Sequence, residues 1–332
     1  MRQQPLGQTG LTVSVPGLGC MGMSEFYGPS DEAESLDTLA AALDLGYDFL
    51  DTADTYGLGH NETLLGRFLK GRRDRVVLAT KFGIVRPSNS PDDSAKRRID
   101  NTPAYLTAAC EASLTRLGVE TIDLYYCHRR NPETPLAEMI GAMARLVDQG
   151  KVRALGLSEV SPETLRGAHA IHPIAAVQSE YSLWSRTPED AMLQTCRDLD
   201  VTFVAYAPLG RGFLTGGLDP AQLAADDFRR GNPRFQADAL ARNQRLLDGL
   251  GAIASARGAS PGQIALAWLV DKAPNVVPIP GTRRVARLAE NAAAMDLALT
   301  PGEIAELDGL FRPGAVAGAR YAEGGTAGIE TL

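Results

Sequence analysis

Cysteine is scarce in this sequence. Only Cys20, Cys110, Cys127 and Cys196 occur in 332 residues, and no two form a C-x-x-C pair. That spacing excludes a zinc knuckle and a thioredoxin-type redox motif. Cys110 and Cys196 sit within apolar helical patterns, and all four are expected as reduced thiols in the cytoplasm. Histidine is equally scarce; its four residues show no ligand spacing, so no metal site is expected. Long apolar runs are missing. No stretch approaches the ~18 consecutive apolar residues of a membrane span. Met1-Arg2-Gln3-Gln4-Pro5 is not followed by the apolar core of a signal peptide. Positive charge is not in excess: the formal net charge is −7. A nucleic-acid partner would favour a basic patch, so none is expected. No linker and no shift in composition divides the chain, and residues 1–332 read as one domain.

What is present is a rhythm. Short apolar runs alternate with amphipathic segments, which predicts βαβ units and a parallel sheet. Pro5 to Val15 reads as a hairpin around Gly7-Gln8-Thr9-Gly10. Eight units follow, with strands expected at Gly17 to Cys20, Phe49 to Asp51, Val76 to Lys81, Ile122 to Cys127, Val152 to Leu157, Ala175 to Gln178, Thr202 to Ala205 and Val276 to Ile279. Helical patterns run over Asp31 to Leu45, Asn61 to Leu69, Pro103 to Leu117, Leu136 to Gln149, Pro162 to His169, Glu189 to Leu199, Ala239 to Ala256, Gly262 to Val270 and Arg284 to Ala294. Thr300-Pro301 opens one more, Gly302 to Leu310. Three stretches read as loops: Pro87 to Asp100, an insertion at Gly210 to Phe235, and the tail Arg312 to Leu332. The expected fold is α/β, a (β/α)8 TIM barrel with an N-terminal β-hairpin and an extra C-terminal helix. An open doubly wound sheet is the alternative, but eight units are many for it.

Gly17-Leu18-Gly19-Cys20-Met21-Gly22 matches the G-x-G-x-x-G fingerprint of a Rossmann dehydrogenase. That mechanism needs a helix to open inside the motif, so that its N–H groups meet a pyrophosphate. Here Ser24, Gly28, Pro29 and Ser30 follow, which are turn residues, and the helix begins only near Asp31. The segment is therefore expected to be a glycine-rich barrel strand and its loop.

In a barrel of this kind the reactive groups stand at the C-terminal ends of the strands. Those ends carry Asp51 and Tyr56, Lys81, His128, Ser158 with Glu159, Gln178, and Tyr206. Carbonyl reduction needs a proton donor beside the oxygen on which charge grows. Tyrosine ionises near pH 10 in water, and a neighbouring ammonium favours its phenolate. A buried ammonium in turn needs a carboxylate. Tyr56, Lys81 and Asp51 supply these types from adjacent strands, and His128 is placed to hydrogen-bond the same oxygen. Singly each has an ordinary structural explanation: Lys81 in water, Tyr56 packing a turn, Asp51 capping, His128 structural. Together, at successive strand ends, they form a catalytic pattern.

These residues resemble the aldo-keto reductase superfamily. The resemblance rests on Asp48-Phe49-Leu50-Asp51-Thr52-Ala53-Asp54-Thr55-Tyr56-Gly57 with Asn61 to Gly66, on Leu78 to Gly83, and on Asp123 to His128. Gly156-Leu157-Ser158, Val177-Gln178 and Ile279-Pro280-Gly281-Thr282 with Arg287, Glu290 and Asn291 extend it, from about Leu6 to about Phe311. The resemblance implies an NADPH-dependent reductase of aldehydes or ketones. In it Tyr56 is the general acid, Lys81 lowers its pKa, Asp51 pairs with Lys81, and His128 orients the carbonyl. Asp51, Ser158 and Gln178 are implied around the nicotinamide, Tyr206 against its ring, and Cys20 and Met21 near its ribose. Pro208, Leu209 and Arg211 are implied around the pyrophosphate. Gly281, Thr282, Arg283, Arg287, Glu290 and Asn291 are implied at the adenosine end, where arginine suits a 2′-phosphate. Glu159 departs from an asparagine common beside the carboxamide, and Gly281 from a lysine common at the phosphate. With His128-Arg129-Arg130 these departures resemble bacterial and plant reductases of the auxin-induced and pyridoxal-reducing branches. A second implication of the same fold is an NADPH-binding partner or redox-sensor subunit of ion channels. The substrate is not legible; Phe26 and Trp184 are candidates to line its pocket, and Arg129 and Arg130 to attract an anionic one.

Overall fold

The computed structural model describes residues 1–87 and 97–330; most of the loop expected at Pro87 to Asp100 lies outside them. Two short strands, β1 (Arg2–Pro5) and β2 (Thr12–Val15), pair antiparallel with Arg2 opposite Val15. The chain then runs through β3 (Leu18–Gly19), α1 (Glu32–Asp44), β4 (Phe49–Asp51), α2 (His60–Leu69) and β5 (Val77–Phe82). A small antiparallel pair, β6 (Ile84–Val85) and β7 (Arg98–Ile99), precedes α3 (Pro103–Leu117) and β8 (Ile122–Cys127). Next come α4 (Leu136–Asp148), β9 (Val152–Ser158), α5 (Pro162–Ile171), β10 (Ile174–Glu180), α6 (Met192–Asp198) and β11 (Thr202–Tyr206). The chain closes with α7 (Ala237–Ala256), α8 (Pro261–Lys272), β12 (Val276–Pro278), α9 (Val285–Ala293) and α10 (Pro301–Leu310).

Among the described residues, eight parallel strands form one sheet in the order β12-β11-β10-β9-β8-β5-β4-β3. Its two outer strands meet. Gly17 N–H donates to Pro278 O at 3.0 Å, and Gly19 bridges Gly281 in parallel register. This closes the (β/α)8 barrel, and it explains the glycines of the apparent dinucleotide fingerprint. A Cβ on Gly19 would stand 2.9 Å from the Ile279 carbonyl oxygen, and one on Gly17 would stand 2.6 Å from the Phe49 ring. The glycines let the seam of the barrel close; α1 begins only at Glu32, capped by Asp31 on Glu34 N–H.

Alternation along the strands sorts side chains between two cores. In β8, Leu124 and Tyr126 pack inside the barrel with Phe49, Ala79, Ala154, Ala176 and Val204. Tyr125 and Cys127 face outward into the layer shared with the helices. The hairpin closes the floor: Leu6, Val13 and Val15 join the inner cluster, and Gly7 N–H donates to Thr202 Oγ1 at 2.8 Å. All four cysteines are buried and free.

Boundaries shift by a few residues where local chemistry competes. The helix expected from Glu189 starts at Met192, because Pro188 opens a separate 3-10 turn over Thr187–Glu189. The insertion after β11 folds as short 3-10 turns, at Gly210–Thr215, Pro220–Gln222, Phe228–Gly231 and Pro233–Phe235. Among the described residues no helix is long and apolar enough to cross a membrane.

Candidate active site

Strand alternation and register bring the polar strand ends together. Asp51 lies on the inward face of β4 with Phe49, and Lys81 on that of β5 with Ala79; Asp51 pairs with Ala79 and Lys81 with Tyr126 across the sheet. Both side chains are buried. Lys81 Nζ donates to Asp51 Oδ1, to Thr52 O at 2.7 Å and to Tyr56 OH at 3.4 Å. Tyr56 begins the turn Tyr56–Gly59, with its ring edge-on to His128 at a centroid separation of 5.8 Å. His128 directly follows β8, tied by its N–H to Phe82 O at 2.8 Å. Gln178, on β10, donates to the other Asp51 oxygen at 2.8 Å. Asp51 is thus saturated by two partners and holds the ammonium in place.

Burial dominates the electrostatics. It raises the Tyr56 phenol well above its ordinary value; Asp51 and Glu25 add to this, and Arg129 opposes it. The net direction is opposite to the expectation that Lys81 draws the phenol down. The reason is burial first, to which the Asp51 carboxylate adds; together they outweigh the cations around the ring. Lys81 is lowered by burial, against the pull of Asp51. His128 is pushed well below the usual imidazole range by burial, then by Arg129, Lys81, Arg97 and Arg86. At neutral pH the site therefore holds a protonated phenol and a neutral imidazole.

These groups open into a cavity of about 530 Å³ at the C-terminal rim of the barrel. Of the residues expected at a cofactor, Met21, Ser158, Gln178, Tyr206, Pro208 and Leu209 line it near the cluster. Gly281, Thr282, Arg283, Arg287, Glu290 and Asn291 line its far end. Cys20 does not: its side chain is buried in the outer core, with Sγ 3.6 Å from Leu18 O. Arg211 lines the cavity, yet its guanidinium is bound to Glu180 at 3.0 Å and stacked between the Phe228 and Tyr321 rings. Arg283 is likewise committed, donating to the carbonyls of Tyr27, Gly28 and Pro29. Arg284, the exposed residue at the N-cap of α9, lines the same end with no ion pair among the described residues. Sequence reasoning did not single it out. Phe26 lines the cavity; Trp184 does not, being buried against Phe213 at 4.0 Å.

The tail is the other omission. Expected as a loop, it folds over the rim and is held by buried charge. Arg320 donates to Glu159 through both terminal nitrogens and to Tyr206 OH, and forms an ion pair with Glu180, whose Oε2 lies 3.0 Å from Nε. Tyr321 OH meets Tyr206 OH at 2.8 Å and lines the cavity. Glu330 accepts from Ser161 N–H at 2.8 Å and from Arg130 at 2.9 Å. Glu159 is therefore no counterpart of a carboxamide ligand. Its side chain points away from the cavity lining, into the strap that anchors the tail. The surplus of arginine near the barrel rim was a signal in the sequence, but nothing there paired Arg320 with Glu159 and Glu180.

A closed (β/α)8 barrel with a buried Asp-Lys-Tyr-His cluster at its C-terminal rim defines the class of molecule. The aldo/keto reductase family model matches residues 17–312, and the chain belongs to this family of oxidoreductases. It is similar to aldo-keto reductase yakc [NADP(+)] of Schizosaccharomyces pombe, with 43% identity over 319 residues, 94% of this chain and 93% of that protein. Among solved structures it is similar to the glycerol dehydrogenase AKR11B4 of Gluconobacter oxydans (30% identity, TM-score 0.82, 91% of this chain and 92% of that one). An aldo-keto reductase of Klebsiella pneumoniae in complex with NADPH is similar at 28% identity and a TM-score of 0.73, over 94% and 96% of the two chains.

Proposed function

We propose that this protein is a single-domain, NADPH-dependent carbonyl reductase that converts an aldehyde or ketone reversibly to its alcohol. The buried Asp51–Lys81–Tyr56–His128 cluster, opening into a cavity with arginines at its far end, carries the reading. The cavity fits a nicotinamide dinucleotide by its donor set. Ser158 Oγ and the free Gln178 amide oxygen suit a carboxamide, and Tyr206 offers an aromatic face. Arg284 and Arg287, with the Asn291 amide, suit a phosphate at the far end. The printed names of the relatives, with NADP(+) in one and NADPH in the other, support the same choice of cofactor.

When bound, the dinucleotide supplies the hydride. The residues of the chain manage the oxygen. His128, neutral, donates one N–H to the carbonyl oxygen and polarises it. Tyr56 gives its proton to the developing alkoxide, which is a stronger base than an ordinary phenolate. Lys81 stabilises the phenolate left behind, and Asp51 with Thr52 O fixes Lys81 at that distance. The test is steady oxidation of NADPH by the purified protein with a panel of simple aldehydes and ketones, benzaldehyde among them. Turnover supports the reading. Tight NADPH binding with no turnover contradicts it and leaves a sensor or partner role.

A further inference from the structure

The end of the cavity beside Tyr56 and His128 holds a guanidinium with no ion pair among the described residues. Arg129 follows His128, is 7% exposed and lines the cavity. Its backbone is pinned: the carbonyl accepts from Asn101 Nδ2 at 3.0 Å and from Cys127 Sγ at 3.2 Å. One arm of the side chain is anchored as well, Nη1 donating to His128 O at 2.7 Å and to Ser158 Oγ at 3.2 Å. The opposite edge is not. Nε is buried without a partner, and among the described residues Nη2 donates to nothing. Four other arginines on the cavity wall are ion-paired, Arg86 with Glu25, Arg211 with Glu180, Arg229 with Asp227 and Arg287 with Glu290, and Arg283 is held by carbonyls; Arg284, also without an ion pair among the described residues, is exposed rather than buried.

Nε and Nη2 form one planar edge whose two N–H groups match the two oxygens of a carboxylate or phosphate. A buried donor without an acceptor is costly, and a buried cation without an anion more so. An oxyanion on the substrate meets both deficits. We propose that Arg129 is a specificity-determining residue and that the preferred substrate is an aldehyde or ketone bearing an oxyanion, held on the Nε–Nη2 edge while its carbonyl faces Tyr56 and His128. The cationic surroundings of His128 point the same way. This inference rests on the reductase reading.

The test compares kcat/KM within matched pairs: 4-carboxybenzaldehyde against benzaldehyde, and glyceraldehyde 3-phosphate against glyceraldehyde. The ratio within a pair cancels general damage to the enzyme. Wild type is expected to favour the anion in at least one pair, and that pair identifies carboxylate or phosphate. Arg129→Met is expected to lower the favoured ratio about ten- to a hundredfold, and Arg129→Lys by less. Ratios near one in both wild-type pairs, or a preference that survives Arg129→Met, overturn the proposal. If Arg129→Met does not fold, wild type decides alone: benzoate and inorganic phosphate are titrated by calorimetry beside benzamide into protein saturated with NADP+, and an anion no tighter than benzamide overturns it. If none of the four carbonyl compounds is reduced, the reductase reading fails separately, and the same titration still decides the Arg129 site.

Discussion

At the scale of single residues, the proposed chemistry depends on two groups that burial holds neutral by shifting them in opposite directions. Tyr56 is raised and must be protonated to act as an acid; its contribution to reduction is lost only as pH climbs through that raised value. His128 is lowered and acts as a neutral donor; its contribution is lost only as pH falls through that lowered value. Between the ordinary values of the two groups, about pH 6.5 to about pH 10, neither titrates. The expected profile of kcat for aldehyde reduction is therefore flat across that window. Alcohol oxidation needs the phenolate as base, so its rate is expected to rise with pH through the same window. A limb in the reduction profile near pH 7, when the chemical step is rate-limiting, would assign the proton to another group. Lys81 illustrates why residue chemistry outruns residue type. A Lys beside a Tyr suggests a lowered phenol, but burial, with the Asp51 carboxylate adding to it, decides the direction.

At the scale of elements, close packing between neighbouring units shapes the site as much as polar contacts do. α2 follows the Tyr56 turn and lies against α3. A Cβ on Gly66 would stand 2.4 Å from Arg116 O and 3.0 Å from Leu117 backbone, so only glycine lets the two helices approach. Gly66→Ala is expected to destabilise the protein by about 1–3 kcal/mol, because backbone must shift to admit the methyl group; urea titration checks it, and an unchanged midpoint contradicts it. The strands and helices were legible because each follows a clear period: Phe49 and Asp51 on one face, Leu124 and Tyr126 on one face, Leu39 and Leu43 on the buried side of α1. The inward cluster Asp51, Lys81, Tyr56 and His128 was legible for the same reason, since all four stand at or just beyond successive strand ends. The ends of elements were less so. Pro188 and the glycines after Leu209 substitute short 3-10 turns for regular structure, and such local choices depend on contacts far away in sequence.

At the scale of the whole molecule, the parts that sequence reading missed are long-range. Arg320 meets Glu159 and Glu180, and Arg283 meets the carbonyls of residues 27–29, across most of the chain. No periodic pattern encodes such pairings. They tie the tail and the strand-one loop to the barrel rim, and so define the walls of the cavity. Arg320→Ala is expected to cost on the order of 3 kcal/mol, because Glu159 stays buried without its cation. The tail beyond Arg312 is expected to become a site of protease cleavage in the same variant. Unchanged stability, with the tail still protected, would show that the ion pairs do not hold it. The central claim, that Tyr56 delivers the proton in carbonyl reduction, is tested most directly by comparing wild type with Tyr56→Phe, measuring both turnover of a reactive aldehyde and affinity for NADPH. The account predicts that kcat falls by about 10²–10⁴-fold while the dissociation constant for NADPH stays within a few-fold; a Tyr56→Phe variant that turns over at near the wild-type rate would contradict it.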